Sequence, residues 1–321
     1  MSLLSQLVNS PALTVSRSPD FDHFQSIERL GEARSILLDG KGFAASFAVA
    51  TLKSCAIYLQ QTFPRILQAR YCTEGAIVAL AMDDASSVIL NGVTGRAPAL
   101  LLARGSAVCE IVEPQANLIA FVNFDSVEDR GWPGEHDRAQ LIVTEPARFE
   151  VLHAVIRDVL TLASRSPDVF SRPGTVESAE ESILQALDHA FDPVALASGG
   201  KAPNLSQYLS LVRSFDKFLA TNPGRILYSA DVAKQLGVSV RTLHNAVFAI
   251  RGMSMHRYTR LRRLWSVRQQ LLQGLRPESI KALALVNGFW HLGEFLSLYR
   301  ELFGETPQQT LAARGQRSRL S

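Results

Sequence analysis

Four residues in the last third of the chain have side chains suited to hydrogen bonding with nucleic-acid bases: Arg241, Thr242, His244 and Asn245. Apolar residues recur among them at Leu243, Val247 and Ile250, the i, i+4, i+7 spacing of a buried helix face. A helix over this segment would therefore bury the apolar residues and expose the polar ones together. Arginine donates two hydrogen bonds to guanine, and asparagine forms a matching pair with adenine. Each residue alone fits an ordinary surface position, but four on one face favour contact with base edges.

The elements that would position these side chains begin just before them. Residues 229–236 have helical apolar periodicity, Gly237 supplies a turn, and Ser239 is suited to cap a second helix over residues 240–250. Two short helices joined by a glycine turn are typical of the helix-turn-helix, whose second helix lies in the DNA major groove. Ser239 therefore joins the predicted DNA-contacting residues.

The same pattern occurs a second time nearer the C-terminus. Residues 278–286 predict a helix, Gly288 a turn, and residues 291–303 a second helix. Its outward N-terminal positions are Trp290, His291, Leu292, Gly293, Glu294 and Ser297, of which His291, Leu292, Glu294 and Ser297 are candidate DNA contacts. Leu292 suits a thymine methyl group and Glu294 a cytosine amino group. Because this set has fewer hydrogen-bond donors, we expect the first unit to carry more of the base reading.

A long helix over residues 255–273 is predicted between the two units. Nineteen residues span about 28 Å, close to the roughly 34 Å of one DNA turn. The connector is therefore suited to place the two reading helices in successive major grooves. Five arginines are predicted on its other faces, away from the apolar stripe: Arg257, Arg260, Arg262, Arg263 and Arg268. Arg257, Arg262 and Arg263 are the predicted phosphate contacts, which orient a protein without specifying sequence.

Charge separates this region from the rest of the chain. Residues 201–321 carry 18 Lys+Arg against 6 Asp+Glu, a net charge of +12, whereas residues 1–200 carry 15 against 24, a net charge of −9. A length of 321 residues with 47% hydrophobic content predicts two packed domains. The asymmetry predicts that the C-terminal domain alone binds double-stranded DNA.

Other classes of protein find little support. Cys55, Cys72 and Cys109 are dispersed without metal-ligand spacing and indicate core residues of a reduced protein. We predict no catalytic residues, no cofactor and no metal. The sequence has no apolar run of 18 residues, and its first residues lack the pattern of a secretory signal, so we expect a soluble cytoplasmic protein without a membrane partner.

The first half of the chain predicts β-structure from residue 36 to about residue 124. Short apolar runs are separated by turn sequences at Asp83-Asp84, Asn91-Gly92, Arg104-Gly105 and Glu113-Pro114. Many short strands at this spacing favour a barrel or sandwich. Such a cup would be suited to bind a small ligand.

Helical periodicity follows the β-rich part. An apolar stripe runs from Phe149 to Leu162 and favours core packing, with a dimerisation helix as the alternative. We predict a loop over residues 164–174 and further helices over residues 176–191 and 205–220. The predicted division is a β-rich domain with a helical end (1–200), a helix and linker (201–223) and the DNA-binding domain (224–321).

The C-terminal motifs resemble those of the arabinose-regulator (AraC/XylS) family of bacterial transcription factors. The matching segments are Gly237-Val238-Ser239, the connector positions Arg262, Leu264, Arg268, Leu271 and Leu272, Gly288-Phe289, and the run from Tyr299 to Pro307. The resemblance implies an α+β protein: a cupin-like β-barrel with flanking helices, then an all-α domain of two helix-turn-helix units joined by a long helix. It also implies an effector-responsive homodimer that activates transcription by recruiting RNA polymerase to a promoter.

Carried over position by position, the family's DNA contacts fall on residues of both units. In the first unit they are Arg241, His244 and Asn245, and in the second Leu292, Gly293, Leu296 and Ser297. Two departures concern specificity. The family often has arginine where this chain has Asn245, and its polar contacts in the second unit are here mostly apolar.

Three alternatives compete with an effector-responsive regulator. A metal-dependent cupin enzyme would need clustered ligands, but residues 36–124 contain no histidine. An alkyl-transfer DNA-repair sensor would need a reactive cysteine cluster, which three dispersed cysteines do not form. The third is a ligand-independent regulator whose N-terminal half serves only dimerisation or contact with a protein partner.

Overall fold

The computed structural model describes residues 2–18, 20–21, 24, 32–41, 43–127, 130–192, 204–222, 228–273 and 279–317. Its contacts divide the chain into two compact units. The first comprises Met1–Ser35 and Phe43–Lys201, and the second comprises Ile36–Gly42 and Ala202–Ser321. The helix that the sequence assigned to a linker region, within residues 201–223, is grouped with the second unit.

The N-terminal unit is built on an antiparallel sheet in which ten strands are described. They are β1 Thr14–Ser18, β2 Glu32–Leu37, β3 Ala45–Thr51, β4 Cys55–Gln61, β5 Arg65–Ala81, β6 Ser87–Leu90, β7 Val93–Arg96, β8 Ala99–Glu113, β9 Leu118–Phe124 and β10 Ala139–Val143. Their order is β1-β3-β4-β9-β5-β8-β6-β7, with β2 against β5 and β10 against β8. The long strands β5 and β8 pair over most of their length, and the sheet curls into a half-barrel.

Alternation along the strands gives this sheet two apolar faces. In β8, Leu100 and Leu102 belong to a core shared with helices, whereas Leu101 and Ala103 belong to a second core. β9 alternates in the same way, with Ala120 on the helix-covered face. The sheet is therefore buried on both sides.

The sequence prediction was wrong at one turn. Arg104-Gly105 does not separate two strands, because β8 runs through it from Ala99 to Glu113. The pairing of β5 with β8 shifts register between Thr73 and Ala76, opposite Gly105, which has a φ of +64°. This irregularity allows the long strand pair to bend without ending. The turn at Asn91-Gly92 is confirmed and joins β6 to β7.

Helices cover one face of the sheet. They are α1 Leu3–Gln6, α2 Pro146–Arg165, α3 Pro167–Phe170 and α4 Pro173–Ala190. The stripe of α2, including Phe149, Leu152 and Ile156, is buried in the core with the sheet, which confirms core packing. The predicted loop over residues 164–174 was wrong in part, since it contains the end of α2, all of α3 and the start of α4.

The C-terminal unit is helical. Its helices are α5 Leu205–Thr221, α6 Ser229–Gln235, α7 Val240–Arg251, α8 Met255–Gln273, α9 Ile280–Val286, α10 Leu292–Phe303 and α11 Pro307–Arg317. The predicted fold class is thus confirmed: a curled antiparallel sheet with helices, followed by a helical region with two helix-turn-helix units. In the described ranges no helix is both long and apolar enough to cross a membrane.

Candidate nucleic-acid interface

The first helix-turn-helix unit consists of α6, a turn and α7. Gly237 has a φ of +70°, a left-handed conformation that favours glycine, and it turns the chain after α6. Ser239 then caps α7, because its Oγ accepts a hydrogen bond from the Thr242 backbone N–H at 3.0 Å. The Thr242 hydroxyl lies 2.8 Å from the same Oγ, and Thr242 is half-buried. The structure therefore places Ser239 and Thr242 in the cap of α7.

The outward face of α7 carries the other predicted base contacts. Arg241, His244 and Asn245 are exposed, whereas Leu243 and Val247 are fully buried. His244 Nε2 lies 3.3 Å from the hydroxyl of Ser229 at the start of α6. Long polar side chains thus project from the same helix face, as the spacing in the sequence predicted.

The second unit consists of α9, a turn and α10. Ser279 caps α9 by accepting a hydrogen bond from the Ala282 backbone N–H at 3.0 Å, and Gly288 makes the turn with a φ of +81°. The structure exposes five residues at the start of α10: His291, Leu292, Gly293, Glu294 and Ser297. Leu296 is half-buried, so it presents less surface than the other predicted contacts.

The long helix α8 joins the two units over the predicted residues 255–273. Tyr258, Leu264 and Trp265 lie in its buried stripe. The three predicted phosphate contacts occupy different environments. Arg257 is exposed, whereas Arg262 is half-buried with its Nε 3.9 Å from an Asp216 carboxylate oxygen. Arg257 is therefore the most accessible of the three.

Arg263 lies against the turn of the second unit. Its guanidinium is so close to Gly288 that a Cβ at that position would lie 2.9 Å from Cζ. Its Nη1 is 3.5 Å from the Gly288 carbonyl oxygen. Burial lowers the pKa of the Arg263 guanidinium from its ordinary value. Arg263 therefore supports the second turn while it also faces the interface described below.

An ionic cluster around Asp216 fixes the first unit in place. The Asp216 carboxylate on α5 accepts hydrogen bonds from Arg251 Nη2 at 2.8 Å and from the Tyr258 hydroxyl at 2.5 Å. Arg251 is fully buried at the end of α7, and its Cζ lies 5.1 Å from the centre of the Tyr258 ring. Burial raises the pKa of the Tyr258 hydroxyl, which stays protonated and donates. One carboxylate thus joins α5, α7 and α8.

A second cluster joins α8 to the C-terminal helices. Arg268 is buried, its Nη1 lies 2.6 Å from Glu305 Oε1, and its Cζ lies 4.7 Å from the centre of the Phe303 ring. Thr310 donates to the same carboxylate oxygen at 2.7 Å and lies 2.8 Å from the buried Tyr299 hydroxyl. Arg268, which the sequence placed on an outer face of the connector, is instead part of the packing of this unit.

The faces of α7 and α10 that carry the predicted base contacts, called the reading faces below, both line one cleft of about 730 Å³. Its lining includes His244 and Asn245 from the first unit and His291 and Glu294 from the second. The structure therefore brings together predicted contacts that are almost 50 positions apart in the sequence.

The cleft has further lining residues that the sequence pattern did not mark as base contacts, among them Phe248, His256, Arg260 and Trp290. Phe248 follows Arg241 by seven positions and His244 by four, so helical periodicity alone already places it on the reading face. Arg260 follows Arg257 by one turn. Its contribution to the cleft depends on the packing angle of α8, which a sequence pattern does not fix.

Comparison with known proteins identifies the C-terminal region. A family model described as "Helix-turn-helix domain" matches residues 232–313. The "XylDLEGF operon transcriptional activator" of Pseudomonas putida is 35% identical over 96 residues, which are 30% of this chain and 30% of that protein. The "Probable thc operon regulatory protein" of Rhodococcus erythropolis is 30% identical over 102 residues, 32% of this chain and 31% of that protein. The chain thus matches less than a third of the length of these relatives.

Among solved structures, the AraC-like transcriptional activator CuxR has a TM-score of 0.45 at 14% identity, covering 81% of this chain and 96% of that one. An AraC-type regulator from Chromobacterium violaceum has a TM-score of 0.32 at 29% identity, covering 35% and 97%. From the family match and the curated relatives, the C-terminal region is a helix-turn-helix domain of the AraC/XylS type, which confirms the resemblance seen in its motifs.

Proposed function

We propose that this protein is a sequence-specific DNA-binding transcription regulator, an activator that acts in the bacterial cytoplasm and not an enzyme. The observation that carries the proposal is the single cleft on which both helix-turn-helix units present exposed polar side chains, in a region with a net charge of +12. Phosphate attraction supplies affinity for any duplex, and side chains on base edges supply the preference for one sequence. Two reading helices on one connector would contact one face of a duplex.

Arg241→Ala is expected to reduce discrimination at one base pair, because the exposed guanidinium on the α7 reading face would lose its contact with guanine. The expected loss is about 1–3 kcal/mol, or roughly 5- to 150-fold in affinity. The full chain first selects duplexes from a random pool, and dissociation constants are then measured at fixed salt for the selected duplex and each single-pair variant.

Lys234→Ala is the matched control for Arg241→Ala. Lys234 is exposed on the last turn of α6, so its replacement removes the same charge away from the reading face of α7. Discrimination between base pairs should remain at the wild-type level in this control. An equal loss of affinity for every duplex in Arg241→Ala would show that Arg241 does not read a base.

A small-molecule effector is the proposed signal. On the face of the sheet opposite the helices lies a cavity of about 50 Å³, lined largely by apolar side chains such as Leu101 and Phe121. Arg65 and Glu113 line one side of it as an ion pair at 2.5 Å, each side chain only 1% exposed. Thr62 donates to the Glu113 carboxylate at 2.7 Å. An apolar lining with one buried polar cluster is typical of a ligand site, and a volume far below the roughly 300–1,000 Å³ of drug-sized pockets restricts the occupant to a very small molecule.

Ligand-dependent thermal stabilisation of the full chain tests the effector proposal. At 100 times its dissociation constant, a compound that binds only the native state stabilises it by about 2.7 kcal/mol. Short aliphatic acids, alcohols and amines of a few heavy atoms are screened. Ala79→Leu replaces a small side chain of the lining by a larger one that fills the cavity. It should abolish the rise in melting temperature caused by any compound that binds there. If no compound raises the melting temperature, the alternative of a ligand-independent N-terminal half gains support.

Homodimerisation and contact with RNA polymerase stay predictions. The apolar stripe that motivated a dimer lies in the core of the N-terminal unit, where Leu152 and Ile156 are fully buried. A homodimer would therefore use other surfaces. The name of the Pseudomonas putida relative, an operon transcriptional activator, supports the activating role and with it a contact with polymerase.

A further inference from the structure

Two large aromatic side chains are exposed at the cleft of the C-terminal unit. Phe248 on α7 is 66% exposed and Trp290, just before α10, is 64% exposed. Both line the cleft, one contributed by each helix-turn-helix unit. Aromatic side chains carry a large apolar surface that is favourably removed from water. Their position on a predicted binding surface therefore indicates a partner with apolar groups of its own.

The backbone directs both rings away from the core. Phe248 lies on the same face of α7 as His244, whereas the preceding Val247 is fully buried. Trp290 follows Phe289, whose ring packs 5.1 Å from that of the buried Phe295. Their neighbours supply the packing of each unit. The exposed rings therefore belong to the surface of the reading helices.

The polar side chains that line the cleft favour one kind of occupant. Arg260 and Arg263 line it together with His244, His256 and His291, and Glu294 is the one acidic residue among the lining residues that the structure describes. This arrangement favours a polyanion over an apolar protein surface. Among the groups that a duplex presents in its major groove, the apolar one is the thymine methyl group.

We infer that Phe248 and Trp290 contact thymine methyl groups and thereby select A·T pairs at two separate positions of the bound duplex. The inference rests on the proposed function and names a further part of its specificity. Neither residue donates a hydrogen bond from its ring face, so their selectivity differs in kind from that of Arg241 and Asn245. The contact from Trp290 also supplies base recognition in the second unit, where hydrogen-bond donors are few.

Replacing thymine by uracil tests this directly, because only the methyl group is lost. On the duplex selected by the full chain, each thymine is replaced in turn and the dissociation constant is measured. Two replacements should each weaken binding about fourfold, the ordinary effect of one buried methyl group. Phe248→Ala should remove the penalty at one position and Trp290→Ala at the other.

Val286→Ala is the matched control, since Val286 is 61% exposed in the same unit but does not line the cleft. It should keep both uracil penalties. Penalties that persist in Phe248→Ala and Trp290→Ala, equal binding of thymine and uracil duplexes by the wild type, or a selected duplex without thymine would each overturn the inference. Failure to select any duplex would instead overturn the proposed function.

Discussion

Asp216→Ala is expected to destabilise the C-terminal unit by about 3–5 kcal/mol, the usual cost of leaving a buried charge without its ion-pair partner. The carboxylate lies 2.8 Å from Nη2 of the fully buried Arg251 and also accepts from Tyr258. Alanine would leave that guanidinium opposite a small cavity instead of a charge. Because the cluster joins three helices, we expect α7 to lose its fixed orientation. We therefore also expect DNA binding to lose its sequence preference.

Hydrogen exchange of the full chain, followed by mass spectrometry, resolves this loss by region. Amides of α7 and α8 should lose protection by roughly two to four orders of magnitude, while those of the N-terminal strands keep theirs. Asp216→Asn, which retains an acceptor for Tyr258, should lose less. Asp231→Ala removes an exposed carboxylate from α6 and is the charge-matched control. Equal exchange in Asp216→Ala and Asp231→Ala would contradict the role of the cluster.

The motifs that revealed the C-terminal domain in the sequence mostly have structural roles. Gly237 and Gly288 make the turns with positive φ, and Ser239 caps α7. Arg268 joins α8 to Glu305, and Tyr299 is buried against Thr310. Such positions can be recognised in a sequence because the backbone or the core admits few residue types there.

The candidate DNA contacts were harder to predict, because an exposed position admits many residue types. Arg241, His244 and Asn245 could be placed on an exposed face by periodicity, but Phe248 on that face was overlooked because an aromatic residue also suits a core. Thr242 was expected to face outward, yet its hydroxyl lies beside the capping Ser239. Local hydrogen bonds of this kind depend on distances that spacing alone does not supply.

The N-terminal unit shows the limit of turn prediction. Gly105 follows an arginine between two apolar runs, which is a reasonable turn signal, but its strand partner continues on the other side of the bend. The long pairing of β5 with β8 outweighs the local preference of the glycine. Pairing between distant strands therefore determined the architecture, and short-range patterns could only give its strand content.

We propose that the helix α8 holds two reading helices at a fixed spacing, so that they enter successive major grooves of one duplex. Its stripe, including Tyr258 and Leu264, is buried, and clusters at Asp216 and at Arg268 fix it to neighbouring helices. A connector held in this way has little freedom to follow a changed DNA spacing. One turn of DNA contains about 10–10.5 base pairs, so five inserted pairs rotate one segment by about half a turn.

The most direct test is therefore an insertion experiment with the full chain. Footprinting of the selected duplex should show two protected major-groove segments on one face, about one turn apart. Five base pairs inserted between them should weaken binding by about 100-fold or more, because contacts of one unit are lost. The same five pairs inserted outside both segments should have no effect. Unchanged affinity after the internal insertion, or a footprint confined to one groove, would contradict the account.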